Sequence, residues 1–239
     1  MANFTELTDA VVAALAERCC LGVVRGWRAV EAGTINSNFV VEVDGGRYFL
    51  RVNEGKSEQD VRYEAVLVDE LAARGIPTPR PVRAGERGYA PFGERWVSVF
   101  PWIDGHHVAR AEVSPAIAHA VGVALAELHR AADDVVGLPE RFGIYTTRKV
   151  AERARGFRDT TDAALAEVNG LLEDETRWLM AQPEPRDQGI IHGDLFRDNV
   201  LFQGEALVAL LDFEQASLGS RVYDLAVCIN AWCYEDRFD

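Results

Sequence analysis

Long apolar runs are missing from this chain. No stretch approaches the roughly 18 consecutive apolar residues that a membrane-spanning helix needs. The start, MANFTELTDAVVAALAERCC, has neither a basic leader nor the apolar centre of a secretory signal, so we expect no signal peptide. Both absences argue against a membrane as a partner of this protein.

Basic residues are scarce relative to acidic ones. The chain has 25 Lys and Arg residues against 38 Asp and Glu residues, which gives a formal net charge of −13 at pH 7. Broad binding to nucleic acid needs a basic face that meets the phosphates, so we expect no nucleic-acid partner. The charge leaves a small-molecule substrate open.

Cysteine is also rare, and none of the four cysteines belongs to a Cys-x-x-Cys pair. Cys19 and Cys20 are adjacent and poorly placed to bridge each other, while Cys228 and Cys233 fall in an apolar helical stretch. We expect buried free thiols in a reducing cytoplasm, and neither a zinc site nor a disulfide framework.

Two catalytic motifs are absent as well. Without a Gly-x-Ser-x-Gly elbow, a serine hydrolase has no support. Gly55-Lys56-Ser57 looks like the end of a phosphate-binding P-loop, but that loop needs a glycine five residues before Gly55, where this chain has Leu50. The sequence therefore argues against P-loop chemistry.

The composition does supply a core, since 48% of the 239 residues are apolar and 26% are charged, as in ordinary globular proteins. The first hundred residues are β-prone with one inserted helix, the segment 101–105 (PWIDG) resembles a hinge, and helices dominate beyond it. We predict an α+β fold with a β-rich lobe at 1–100 and a mainly helical lobe at 101–239. Ligands favour the seam between two such lobes.

The periodicity of apolar residues places the individual elements. Helices are predicted at about Asp9–Arg18 after a Thr5 or Thr8 cap, at Ser57–Arg74, from Pro115 after a Ser114 cap, from a Thr161 cap to about Met180, and at Arg221–Trp232. Strands are predicted at Arg28–Glu31, Asn38–Val43, Arg47–Val52, Arg95–Phe100, Gly189–Ile191, Val200–Phe202 and Leu207–Leu211.

The clearest chemical signal is the polar loop 192–199, HGDLFRDN, which lies between two apolar strands. Asp194 and Asn199 are five residues apart and can converge on one volume. A carboxylate there can accept a proton from an attacking hydroxyl, and an amide oxygen can bind Mg²⁺, which prefers hard oxygen ligands. The spacing is that of the phosphoryl-transfer loop His-x-Asp-x-x-x-x-Asn.

A second acidic motif, Asp212-Phe213-Glu214, follows the apolar strand Leu207–Leu211. In kinase-like folds an aspartate at this place holds Mg²⁺ on the nucleotide phosphates, and protein kinases have glycine where this chain has Glu214. Two such motifs in the right order are far more specific than either alone. The alternative is two acidic turns that flank a hairpin.

The first lobe offers groups for phosphate. The segment 33–38, GTINSN, joins two predicted strands, and its small and polar residues let backbone N–H groups approach phosphate oxygens, although a plain hairpin is the alternative. Arg51 ends the next strand and is the candidate phosphate-binding cation. Glu64 borders the inward-facing stripe of the following helix and suits a pairing with Arg51, the alternative being a solvated glutamate.

Other polar residues have structural interpretations. Asp224 lies inside an apolar helix, where an unpaired carboxylate is costly. We expect it to accept backbone N–H groups from the loop 192–199, so that His192 and Asp224 support the shape of that loop. His129 is expected to be packed and hydrogen-bonded, and His106-His107 to be an exposed loop rather than a metal pair.

Together these segments resemble the aminoglycoside phosphotransferase/choline kinase-like superfamily, and most closely its homoserine kinase branch. The matching segments span nearly the whole chain in order: GTINSNF (33–39), YFLRV (48–52), GIPTP (75–79), LAELH (125–129), IHGDLFRDNVLF (191–202), LDF (211–213) and YDLAVCINAWC (223–233). The catalytic-loop and Mg²⁺ motifs are specific to the superfamily, while DLFRDNVLF with DLAVCINAWC points to the branch.

The resemblance implies a two-lobed protein-kinase-like fold that uses ATP and Mg²⁺. It makes Asp194 the catalytic base or hydroxyl-orienting group, and Asn199 and Asp212 the Mg²⁺ ligands. Nucleotide contacts would come from the first lobe and from the hinge backbone around Val99–Trp102: Thr34, Asn36, Ser37, Asn38, Arg51, Glu64, Phe100 and Trp102. Many relatives carry lysine in place of Arg51, which can grip phosphate bidentately.

Relatives usually continue with further helices after the segment that matches YDLAVCINAWC, so the resemblance implies that the C-terminal helices are missing here. The predicted reaction is phosphorylation of a small-molecule hydroxyl, with L-homoserine as the first choice. Homoserine carries an ammonium and a carboxylate, and its candidate contacts are Arg197, Asp198, Asn230 and Trp232. An aminoglycoside, choline, thiamine or methylthioribose is the alternative acceptor, and a non-catalytic, nucleotide-binding pseudokinase is the alternative from another class.

Overall fold

A five-stranded antiparallel sheet forms the first part of the computed structural model, which describes residues 5–30, 35–183 and 186–233. The strand order is β1-β2-β3-β5-β4. The strands are β1 (Val24–Val30), β2 (Ser37–Val43), β3 (Gly46–Asn53), β4 (Ala90–Phe92) and β5 (Arg95–Pro101). The register pairs Arg51 with Asn38 on β2 and with Ser98 on β5, so Arg51 lies on a central strand.

The N-terminal helix α1 (Asp9–Arg18) covers this sheet and confirms the predicted bounds. Thr8 caps it, since its hydroxyl accepts a hydrogen bond from the Val11 N–H at 3.4 Å. The predicted face of Val12, Leu15 and Ala16 is buried in one core with residues of β2, β3 and β5.

Helix α2 (Glu58–Ala73) is inserted between β3 and β4 and begins after a Ser57 cap. Its Leu67, Val68 and Leu71 are buried in a core shared with the helical part of the chain. Glu64 is buried on the same helix. Because α2 packs on both parts, it holds Glu64 at their junction.

The second part is mainly helical, with two short antiparallel strand pairs. Its helices are α3 (Pro115–Asp133), α4 (Thr147–Arg155), α5 (Ala163–Met180) and α6 (Arg221–Trp232). Its strands are β6 (Gln188–Ile191), which pairs with β9 (Ser217–Ser220), and β7 (Val200–Gln203), which pairs with β8 (Ala206–Leu210). The predicted Ser114 cap, Pro115 start and buried α3 stripe, and the bounds of α6, are confirmed.

Four local predictions were incomplete. The cap of α5 is Asp162, not Thr161, because the Asp162 carboxylate accepts the Leu165 N–H at 3.0 Å. Strand β1 begins at Val24 rather than Arg28, since this edge strand is only partly buried and lacks a clear alternation. Helix α4 is highly charged and β9 has a single apolar side chain, Leu218, so neither element was predicted from an apolar pattern. The predicted end of the first strand, Glu31, lies outside the described residues.

The thiols are free, as predicted, but only Cys19 and Cys228 are buried, while Cys20 and Cys233 are exposed. Cys20 and Cys233 lie just beyond the ends of α1 and α6, where the chain leaves its packed face. In the ranges described, no helix is both long and apolar enough to cross a membrane. The lobe boundary predicted at residue 100 stays a prediction.

Candidate active site

A cleft of about 660 Å³ lies between the sheet and the helical part. Ten of the residues predicted for the site line it: Asn36, Asn38, Arg51, Glu64, Phe100, Trp102, Asp194, Asp198, Asn199 and Asp212. Thr34 lies outside the described residues. The remaining predicted residues support the cleft or lie elsewhere.

The loop after β6 brings Asp194 and Asn199 together. A turn of 3₁₀-helix at Arg197–Asn199 shortens the path between them. The Asn199 amide Nδ2 donates to the Asp194 carbonyl at 2.7 Å and to its carboxylate Oδ2 at 3.3 Å. Because Nδ2 is used in this way, Oδ1 is the Asn199 atom that could bind a cation.

Asp224, which is fully buried on α6, holds this loop in place. Its carboxylate accepts the backbone N–H groups of His192 at 2.9 Å and Gly193 at 2.8 Å, which confirms the predicted contact. His129 Nε2 lies 2.8 Å from the same carboxylate. Burial alone would raise the pKa of Asp224, but these donors hold it below its ordinary value.

His192 links the loop to the strand that precedes Asp212. Its Nε2 donates to the Leu211 carbonyl at 3.0 Å, and its Nδ1 accepts the Asp194 N–H at 3.3 Å. Burial lowers the pKa of His192, which keeps the ring neutral in this tautomer. Its place in the loop is therefore structural.

The four residues predicted to hold the acceptor have three different placements. Asp198 lines the cleft. Arg197 Nη1 donates to the Ala231 carbonyl at 2.7 Å, and Trp232 Nε1 donates to the Leu195 carbonyl at 2.9 Å, so both tie the loop to α6. Asn230 is exposed on α6. An acceptor role for these residues stays a prediction.

Arg51 and Glu64 form the predicted pair, with Arg51 Nη1 at 3.1 Å from Glu64 Oε1. Both side chains are buried. The same Nη1 lies 3.7 Å from Asp212 Oδ1, so the cation also reaches the second acidic motif. Asp212 itself has a left-handed backbone with φ of 60°, which turns the chain sharply after β8.

Glu214 is a site residue that the sequence motif did not assign. Its Oε1 accepts from Arg51 Nη1 at 3.2 Å and from the Asn36 amide, and its Oε2 lies 2.6 Å from Lys56 Nζ. The available sequence signal was the acid that directly follows Asp212-Phe213. Lys56 had only the incomplete P-loop pattern, so its contact with Glu214 was not predicted.

Acidic side chains outnumber basic ones around Arg51: the acids are Glu64, Asp194, Asp212 and Glu214, and the cations are Arg51 and Lys56. Burial and the nearby Asp212 raise the pKa of Asp194 to about 6. Burial raises the pKa of Glu64 to about 7, because Arg51 is shared with Glu214 and Asp212. Burial opposes the charge of Arg51, but its three carboxylate neighbours raise its pKa above the ordinary value. The cleft therefore carries an excess of negative charge.

The residues fit a cation that is held together with phosphate. No group of three or more His, Cys, Asp or Glu residues forms a ready metal centre in the described part of the chain. Mg²⁺ does not need one, since it is usually held by one or two carboxylates with substrate phosphates and waters. Arg51 Nε is buried and has no hydrogen-bond partner among the described residues, and a phosphate oxygen would satisfy it.

Aromatic side chains form part of the cleft wall. Phe49, Phe100 and Trp102 line it. Pro101 has no N–H, and the Trp102 N–H donates to the Arg47 carbonyl at 3.0 Å, so neither residue offers a free N–H to a bound ring. A planar ligand could stack on the faces of these aromatic rings.

Ser37 is hydrogen-bonded within the first part of the chain and does not line the cleft. Its hydroxyl donates to Glu54 Oε1 at 2.8 Å and accepts the Thr5 N–H at 2.7 Å. The paired histidines His106 and His107 are exposed, as expected, and His107 Nδ1 lies 3.1 Å from the Val200 carbonyl.

Comparison with known proteins identifies the family. The model of the Phosphotransferase enzyme family matches residues 26–239. The chain belongs to this family. A homoserine kinase of Methylocella silvestris is 36% identical to this phosphotransferase over 238 residues, which is 98% of this chain and 73% of that protein. A homoserine kinase of Mesorhizobium japonicum is 34% identical over 245 residues, which is 100% of this chain and 74% of that protein.

Solved phosphotransferases share the fold. An amicoumacin kinase in complex with AMP-PNP, Ca²⁺ and Ami has a TM-score of 0.74 at 15% identity, covering 94% of this chain and 69% of that one. A spectinomycin phosphotransferase in complex with ADP and spectinomycin has a TM-score of 0.70 at 15% identity, covering 96% of this chain and 77% of that one. The predicted family and the predicted two-lobed, protein-kinase-like fold are confirmed.

Proposed function

We propose that this phosphotransferase transfers the γ-phosphoryl group of ATP to the hydroxyl of L-homoserine. The observation that carries the chemistry is the convergence of Asp194, Asn199 and Asp212 on one cleft that also contains a buried arginine. The observation that carries the acceptor is the 36% identity to a homoserine kinase over 98% of the chain.

The cleft offers groups for both parts of the nucleotide. The adenine ring is assigned to the aromatic side chains of Phe100 and Trp102, and the phosphates to Arg51, whose buried Nε has no acceptor among the residues that the structure describes. Glu64 holds the Arg51 guanidinium by a contact of 3.1 Å.

Asn199 Oδ1 and the Asp212 carboxylate are the hard oxygen atoms assigned to Mg²⁺. When bound, this ion neutralises charge on the phosphates. Asp194 then orients the acceptor hydroxyl and accepts its hydrogen bond, and a pKa of about 6 leaves it mainly ionised at neutral pH. Catalysis is mostly positioning and electrostatic stabilisation, as phosphoryl transfer allows.

The acceptor is a zwitterion, and its two charges need opposite partners. Asp198, which lines the cleft, is assigned to the ammonium. Arg197 is the nearest cation in sequence for the carboxylate, although its Nη1 is used by the Ala231 carbonyl. Asn230 and Trp232 remain further candidates on α6.

A second acceptor class has one observation in its favour. The chain has a formal charge of −13, and acids outnumber cations in the cleft, which would suit a cationic acceptor such as choline, thiamine or an aminoglycoside. The site residues would keep their roles with such a substrate.

The test is an ADP-release assay with ATP and Mg²⁺ against L-homoserine, choline, thiamine, methylthioribose and kanamycin. We expect turnover on homoserine alone. Turnover on another compound would keep the chemistry and discard the acceptor. Bound ATP without turnover on any compound would favour a pseudokinase.

A further inference from the structure

Lys56 lies in the short loop between β3 and α2, where Gly55 takes a positive φ of 65° that lets the chain turn sharply. Lys56 lines a second cavity, and its link to the cleft is Glu214, which lines the cleft itself. The Lys56 side chain is 17% exposed, and its Nζ lies 2.6 Å from Glu214 Oε2. Arg51 Nη1 lies 3.2 Å from the other oxygen of the same carboxylate. One buried acid thus separates two cations.

We propose that Lys56 is a second phosphate-binding cation of this site, which Glu214 holds beside the cleft until the nucleotide enters. This inference rests on the proposed use of ATP, and it does not depend on the identity of the acceptor.

Charge balance supports the assignment. Arg51 Nη1 already faces Glu64, Asp212 and Glu214. A polyphosphate would add negative charge to a cleft in which carboxylates already exceed cations. Arg51 alone does not balance it, so a further cation at the same place would stabilise the bound form.

Lys56 is the cation that can be redirected. In the ranges that the structure describes, Glu214 is the one carboxylate within ion-pair distance of its ammonium. A lysine has a flexible stem and three rotatable donors, so it can turn from Glu214 to a phosphate oxygen. The Arg51 guanidinium lies 5.9 Å from the ring centres of both Phe49 and Phe100, which restricts its movement.

Arg141 does not fill this role in the structure. Its Nη2 donates to the backbone carbonyl of Glu214 at 2.7 Å, rather than to the carboxylate. It also lies over the Tyr63 ring, at 5.1 Å from the ring centre. Lys56 and Arg51 are therefore the two cations on the Glu214 carboxylate.

The sequence provides a matched control, because Lys56 and Lys149 are its two lysines. Lys149 belongs to α4, and its Nζ lies 3.4 Å from the Phe142 carbonyl. An ATP derivative with an acyl group on the γ-phosphate can report on both. An unprotonated lysine amine attacks the acyl carbonyl, an amide forms, the acyl–oxygen bond breaks, ATP leaves, and the amine proton goes to solvent.

We expect this probe to acylate Lys56, free ATP to suppress the reaction, and Lys149 to react only at background level. Peptide mass analysis separates the two sites. Labelling of Lys149 as strong as that of Lys56, or Lys56 labelling that excess ATP leaves unchanged, would overturn the inference.

Binding measurements separate a phosphate contact from a structural ion pair. Titration calorimetry would compare ATP with adenosine on the wild type, Lys56→Gln, Lys56→Arg and Lys149→Gln. A lost charge-assisted hydrogen bond weakens binding by about tenfold or more, so we expect Lys56→Gln to weaken ATP by that factor and to leave adenosine unchanged. Lys56→Arg should restore most of the ATP affinity, and Lys149→Gln should change neither ligand.

Equal weakening of ATP and adenosine by Lys56→Gln would assign Lys56 a structural role and overturn the inference. The inference would also be overturned if Lys56→Gln preferred ATP over adenosine by the same factor as the wild type. A wild type that binds no ATP would overturn the proposed function as well. A chain that phosphorylates homoserine while Lys56→Gln keeps its full ATP preference would overturn this inference alone.

Discussion

Two buried carboxylates, Asp224 and Glu214, differ in the partners that surround them. Asp224 accepts from two backbone N–H groups of the catalytic loop and from His129. Glu214 contacts Arg51, Lys56 and the Asn36 amide. The first set belongs to the fold and needs no ligand, whereas the second contains two cations that phosphate can also bind. Burial alone therefore does not separate a structural acid from a site acid.

Asp194 lies between these two networks, and its replacement by alanine should have the largest effect. Its backbone is held by His192 and Asn199, while its carboxylate faces the cleft. We expect Asp194→Ala to lower kcat by about 10²–10⁴-fold, the usual contribution of a positioned base. The free energy of unfolding and the Kd of ATP should change little, as urea unfolding and calorimetry can measure. Substantial residual turnover would contradict the assignment.

Replacement of Asp224 should act on stability. Asp224→Ala leaves His129 and two buried backbone N–H groups without an acceptor, so we expect a loss of about 3–5 kcal/mol in the free energy of unfolding. Glu127→Gln on the exposed side of α3 is the control, and it should change stability by less than about 0.5 kcal/mol. Urea unfolding at pH 7 checks both. If Asp224→Ala were as stable as this control, the structural interpretation of Asp224 would be wrong.

The pH dependence of stability tests whether acids exceed cations around Glu214, and Glu64 is the residue to replace. Its pKa is raised from 4.5 to about 7 in the folded protein, so the folded state binds more protons than the unfolded state between those values. The contribution of Glu64 to stability is therefore present below pH 4.5 and is lost as pH rises to about 7.

Between pH 4.5 and 7, we expect the free energy of unfolding of the wild type to fall relative to that of Glu64→Gln by on the order of 2 kcal/mol. Urea unfolding of both proteins at intervals from pH 4.5 to 7.5 measures it, and titrations elsewhere cancel in the difference. If the two plots of stability against pH were parallel, Arg51 would keep Glu64 ionised over the whole range. The acids around Glu214 would then be fully compensated by their partners, as Asp224 is.

Local signals were enough for much of the fold. The bounds of α1 and α6 and the start of α3 follow from caps and from apolar residues that recur at helical spacing, which act within a few residues. Helix α4 and strand β9 lack that signal, because α4 is mostly charged and β9 (Ser217–Ser220) has one apolar side chain, Leu218. Tertiary packing stabilises such elements, and a local pattern does not predict them.

The site divides in the same way. Asp194 and Asn199 are five residues apart, so their spacing predicted that they meet, and the structure has the Asn199 amide bonded to Asp194. The contact between Asn36 and Glu214 joins residues 178 positions apart, and no short motif encodes it. The neighbours of Lys56 do not complete a P-loop, so no local motif assigns it a role. Its partner Glu214 is distant in sequence.

The sequence by itself determined the kinds of chemical group in the site and their order along the chain, because each motif is a short segment whose spacing sets its local geometry. Only the tertiary structure decided which acid shares which cation. That choice depends on the strand register that places Arg51 beside Asn38, on the packing of α2 against both parts, and on the sharp turn at Asp212. Each of these brings together segments that the chain itself does not hold near one another.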